Sequence, residues 1–156
     1  MYKLSVIAVG SLKETFWKEA ISEYAKRLAP YAKIQVIETA ESSYKTPSEA
    51  ATVMRAEAEG LKKRLPDGAF VVALVKEGRA LTTEAFAETL RREGEGGREI
   101  AFLIGGPLGL DPVLAASAHL KLSLSSMTFT HGEARAVLFE QMYRAMTVLA
   151  GKIYHL

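Results

Sequence analysis

Residues Glu99–Leu110 read EIAFLIGGPLGL. Five apolar residues, Ile100 to Ile104, run without a break into Gly105-Gly106-Pro107, and Gly109 follows. An apolar run of this length, bounded by turn formers, predicts a fully buried strand. The strand ends in backbone almost bare of side chains. Open α/β sheets bind ligands outside the carboxyl ends of their strands. Two readings of the glycine turn follow. It is a tight strand-to-helix connection, or it lets a ligand approach closely enough to hydrogen-bond peptide groups.

Outward from this stretch, strands and helices alternate. Toward the N-terminus, Lys3–Val9 reads as a strand closed by Gly10. Phe16, Trp17, Ala20, Ile21, Tyr24 and Leu28 recur at helical spacing, and Pro30 ends that helix. Ile34–Ile37 is a second strand, followed by a polar loop over 39–45. Thr46-Pro47-Ser48-Glu49 has the pattern of a capping box with proline at the first helical position. The turn Pro66-Asp67-Gly68 leads to a buried strand, Ala69–Val75, and Lys76–Arg79 is expected to be a loop. Thr82 or Thr83 caps a third helix. Beyond the opening stretch, Asp111-Pro112 starts a short helix. Leu120, Leu122 and Leu124 alternate with polar residues as a half-buried strand. Ser125–Thr130 is a polar loop, and Gly132–Ala150 is the longest helix. Five strands alternating with five helices predict one α/β domain over 1–156, a mainly parallel sheet with helices on both faces.

Composition narrows the chemistry. At 156 residues and 49% hydrophobic, the chain can bury a real core. It has no cysteine, which excludes disulfides, thiolate-ligated zinc and a cysteine nucleophile. His119, His131 and His155 are scattered, so no metal is expected. No leader or membrane-length apolar run is evident, and a cytoplasmic setting is expected. The net charge of +2 permits a nucleic-acid partner without arguing for one. Lys62-Lys63-Arg64 and Arg91-Arg92 are either RNA contacts or solvated helix faces. No Walker loop, dinucleotide fingerprint or nucleophile elbow is present.

Two further segments have two readings each. Ser123–Thr130 is a solvent loop or the second wall of a pocket facing the glycine turn. The last helix is apolar almost all round, which fits either a central core helix or a subunit interface. Glu140 and Arg144 lie one turn apart on it and can pair. Residues and spacing lead as far as a ligand-binding α/β domain.

Three stretches together resemble one family: FLIGGPLG at 102–109, LSLSSMTFTH at 122–131, and LFEQMYRA at 138–145 followed by Tyr154-His155. They are similar to the bacterial ribosomal large-subunit pseudouridine N3-methyltransferases, the RlmH family, a minimal branch of the SPOUT superfamily. The resemblance spans the chain, including KLSVIAVG at 3–10. It implies an α/β knot fold, with a trefoil knot over about residues 100–156, and a homodimer with the last helix in its interface. It implies S-adenosylmethionine held by Leu74, Gly105, Gly106 and the loop Leu124, Ser125, Ser126, Met127, Thr128 and Phe129. It places the functional end residues at Arg144, Tyr154 and His155, each site borrowing from the partner. The substrate it implies is 23S ribosomal RNA in the assembled ribosome. Many relatives carry aspartate where Val75 stands, and a basic residue follows the histidine where this chain has Leu156. A SPOUT enzyme for another RNA and a non-catalytic nucleotide- or ribosome-binding module are the alternatives.

Overall fold

The structure is a computed structural model, and it describes residues 1–154. His155 lies outside the described residues. The strands are β1 (Tyr2–Val9), β2 (Ala32–Thr39), β3 (Phe70–Ala80), β4 (Glu99–Ile104) and β5 (Leu120–Ser123). The helices are α1 (Thr15–Leu28), α2 (Ala50–Lys62), α3 (Thr83–Gly94), α4 (Pro112–Ser117) and α5 (His131–Leu149). All five strands form one sheet in the order β2-β1-β4-β3-β5, and every pairing is parallel. The predicted alternation and sheet type therefore hold.

Strand alternation divides the core into two layers. Leu4, Val6 and Ala8 of β1, with Val72, Ile100 and Phe102, face α1, α3 and α5. Ile7 and Val9, with Ala73, Ala101 and Leu103, face α2 and α4. Parallel strands covered on both faces read as continuous apolar runs, which is why β4 stood out in the sequence. Its Ile100 to Leu103 are fully buried.

Two local expectations are corrected. Lys76–Arg79 is not a free loop but part of β3. Leu74 and Arg79 both pair with Leu122, so the residues between them bulge out of the ladder. The polar composition hid this extension. The capping box at Thr46 does not close either. Pro47–Glu49 forms a 3₁₀ turn, and Glu49 accepts from the Lys45 amide at 2.7 Å instead of returning to Thr46. Proline favours this tighter entry because it supplies no N–H to bond. The other caps form as side-chain chemistry dictates. Thr82 accepts from the Ala85 amide, Asp111 from Leu114 and Thr130 from Glu133.

The last helix is a core helix within one chain. It lies between α1 and α3 against the sheet, and none of its nineteen residues is exposed. Gly132 lets it approach α1, because a Cβ there would stand 2.7 Å from the Trp17 ring.

Candidate functional site

The carboxyl ends of β3, β4 and β5 open into one cleft of about 950 Å³. Its first wall is the glycine turn. Gly109 donates to the Gly106 carbonyl at 2.9 Å, with Pro107 at the second turn position and Gly109 at φ +87°. A Cβ on Gly105 would stand 2.4 Å from the Gly109 backbone, so the turn cannot fold this tightly with any side chain there. Pro107 and Leu108 complete the turn, and Leu110 continues the wall toward α4.

The opposite wall is the loop after β5. Ser123 donates its hydroxyl to the Ser125 carbonyl at 3.0 Å, and the Met127 amide donates to the Ser125 hydroxyl at 3.0 Å. These local bonds hold the loop in a turn without regular structure. Leu124, Ser125, Met127, Thr128 and Phe129 line the cleft. Ser126 is exposed and lies outside the lining. The β3 bulge supplies the rim: Leu74 and Val75, then Lys76 and Glu77. Glu14 and His131 also line it. Sequence reasoning did not place Glu14, Lys76 or Glu77 at the site. The bulge has no sequence signal beyond Gly78, whose Cβ would lie 2.7 Å from the Lys121 backbone.

Two buried charged groups stand behind these walls. The Glu57 carboxylate, on α2, is 5% exposed and accepts from the Ser42 amide at 3.1 Å. Its oxygens lie 3.5 and 3.6 Å from the place a Gly106 Cβ would take. Burial pushes its pKa above the ordinary carboxyl range, with Glu41 adding to the rise and the Ser42 bond opposing it. Arg135, one turn into α5, donates to Glu38 at 2.9 Å and to the Gly10 carbonyl at 3.4 Å. It pins the start of α5 to the carboxyl ends of β1 and β2.

Arg144 and Tyr154 form a separate cluster. Arg144 donates to Glu140 at 2.9 Å and to the Tyr154 carbonyl at 3.3 Å, and its guanidinium lies 4.8 Å from the Tyr154 ring centre. Tyr154 stacks on Tyr143 at 4.7 Å. The Glu140 hydrogen bond raises the Arg144 pKa further and keeps it a cation. Burial, with Tyr24 and Glu140 nearby, keeps the Tyr154 phenol protonated. Neither residue lines the cleft. His131 lines the cleft at the start of α5, and Arg144 is thirteen residues on. That is about 20 Å along the axis at the usual helical rise. One chain thus brings together eight of the nine residues expected around the cofactor, and leaves Arg144 and Tyr154 apart from them.

The basic segments separate too. Arg91 is engaged by Glu88 and Glu95, Arg92 by Glu93, and Lys62 by Glu59. Among the described residues, Lys63 and Arg64 form no ion pair.

An all-parallel α/β domain with a cleft at its carboxyl edge, walled by a glycine turn and a polar loop, belongs to the class that holds small ligands through backbone groups. The chain belongs to the SPOUT methyltransferase family: the family model described as "Predicted SPOUT methyltransferase" matches residues 2–155. Curated relatives match over nearly their whole length. A protein of Bifidobacterium animalis subsp. lactis named Ribosomal RNA large subunit methyltransferase H is 44% identical, over 97% of this chain and 98% of its own. Proteins of the same name from Clostridium botulinum (strain Kyoto / Type A2) and Desulfotalea psychrophila are 41% and 42% identical. The alignments cover 97% and 98% of this chain, and 98% and 99% of those proteins.

Proposed function

We propose that this chain transfers a methyl group from S-adenosylmethionine to N3 of a pseudouridine in 23S ribosomal RNA, acting on the assembled ribosome in the cytoplasm. The observation that carries the reading is the cleft itself. It pairs close-approach backbone at Gly105-Gly106 with apolar side chains of Leu74, Leu124, Met127 and Phe129. Such a site fits an adenosine group, gripping its edge through peptide groups and its faces through apolar contact. The relatives' shared name supports a ribosomal RNA substrate. Family membership supports a trefoil knot over about 100–156.

The active form is a homodimer in which Arg144, Tyr154 and His155 of one subunit serve the cleft of the other. The 20 Å separation along α5 supports this, since one chain alone cannot join the two groups. Exposed apolar side chains at both ends of the helix support it as well: Met127 at the cleft and Ile153 beside Tyr154.

Bound in the cleft, S-adenosylmethionine supplies an already activated methyl group. The chain's own residues then align the base and manage one proton. Alignment of this kind is worth ~7–11 kcal/mol of barrier. His155 takes the N3 proton, Arg144 stabilises the resulting imide anion, and Tyr154 stacks on the nucleotide.

Incubation of unmodified ribosomes with labelled S-adenosylmethionine, followed by nucleoside mass spectrometry, tests the reading. Label in N3-methylpseudouridine is expected. Label in a ribose, or none, overturns it. With H155A, turnover on ribosomes falls by about 10²-fold or more. An unchanged rate removes the tail from the mechanism.

A further inference from the structure

Three charged side chains line the cleft: Glu14, Lys76 and Glu77. Lys76 is the lone permanent cation among the described lining residues. The β3 bulge carries it to the rim, and its ammonium donates to the Thr128 hydroxyl at 3.4 Å. That bond links β3 to the loop after β5. It is long for a hydrogen bond, and its acceptor is neutral. Among the described residues Lys76 forms no ion pair, although two carboxylates share the lining. An ammonium carries three donors, so this one keeps donors for an anionic acceptor.

Apart from His131, the rest of the lining offers a carboxylate no basic side chain. The other lining residues bring apolar side chains, hydroxyls and neutral backbone, and Val75, next to Lys76, is apolar. On the reading above, the occupant ends in an amino acid, with a carboxylate and an ammonium beyond its adenosine.

Resting on that reading, we propose that Lys76 binds the α-carboxylate of S-adenosylmethionine, exchanging the long Thr128 bond for a charge-assisted one at the cleft rim. The residue is a binding group at the cofactor's amino-acid end, outside the methyl-transfer chemistry.

The test is calorimetric titration of the full chain and of K76A and K76R. The ligands are S-adenosylmethionine, S-adenosylhomocysteine and 5′-methylthioadenosine, the last lacking the amino-acid end. The expected result for K76A is roughly a five- to twentyfold loss of affinity for the two amino-acid ligands. Affinity for 5′-methylthioadenosine stays within about twofold. K76R keeps most of the affinity, because the guanidinium still reaches a carboxylate. The proposal is overturned if K76A binds S-adenosylhomocysteine as the unaltered chain does, or loses 5′-methylthioadenosine equally. If the unaltered chain binds none of the three, the cofactor reading fails and takes this one with it. That failure appears before any variant is made.

Discussion

Single residues behind the cleft decide much of its stability. Glu57 is a buried carboxyl whose pKa is raised by burial. The native state therefore holds its proton more tightly than the unfolded state does. Its contribution is fully present at low pH and is lost as pH rises through the native value. E57Q keeps an acceptor for the Ser42 amide and removes the titration. Its melting temperature matches that of the unaltered chain near pH 4 and exceeds it by roughly 2–4 °C at pH 8. A constant offset across that range contradicts the argument. The Arg135–Glu38 pair is asymmetric, with side chains 3% and 41% exposed. E38L strands a buried cation and costs about 3–5 kcal/mol, whereas R135M leaves a carboxylate that water can solvate and costs less than about 2 kcal/mol. Urea denaturation of both variants decides it, and equal costs refute the asymmetry. At this scale the sequence was legible where backbone chemistry is specific. Gly105 announced itself beside Gly106 and Pro107. Arg135 did not, because a lone arginine on an apolar helix looks like a solvated residue until the strand ends around it are known.

Among the elements, β3 departs furthest from its sequence pattern. The apolar run stops at Val75, yet the strand continues to Ala80 through a bulge. The extension is held by backbone pairing with β5, and pairing leaves no periodic signature in polar residues. Gly78 is where it comes closest to the β5 backbone. G78A drives a methyl group into the Lys121 backbone, destabilises the β3–β5 edge and weakens ligand binding in the cleft, as calorimetry and thermal melting will show. Gly60 offers the contrast. It lies inside α2 with only Thr39 near its Cβ position, at 3.8 Å. G60A removes a helix-interior glycine without a clash and stabilises the chain by about 0.5–1 kcal/mol. The last helix shows why amphipathicity alone left two readings open. Its buried side meets α1, α3 and the sheet while residues such as Tyr143 and Arg144 stay half-buried, so an apolar surface all round reports burial without naming the neighbour.

For the molecule as a whole, the sheet class was legible because βα alternation with apolar strands has few solutions. The strand order was not, since periodicity says nothing about which strands are neighbours. The separation of Arg144 from the cleft was equally hidden, because it depends on the length and direction of α5. The composite-site reading makes a quantitative prediction. Mix equal amounts of R144A and L74R, each inactive alone, and let subunits exchange. Half the dimers are then mixed, and each mixed dimer regains one intact site, restoring about a quarter of the unaltered activity on a random-exchange estimate. No recovery, after exchange is verified by mass, means that each chain works alone. The sheet order also has a temporal consequence. β1 is made first, yet its Lys3 pairs with Glu99 of β4, nearly a hundred residues later in synthesis. During translation the apolar first strand has β2 on one edge and nothing on the other. Contacts of such long range make folding slow, in the range of non-local sheets rather than helical bundles. The nascent chain spends that interval with a sticky strand edge open to other chains, so its yield in a cell depends on how quickly the stretch from Glu99 to Leu110 arrives to close it.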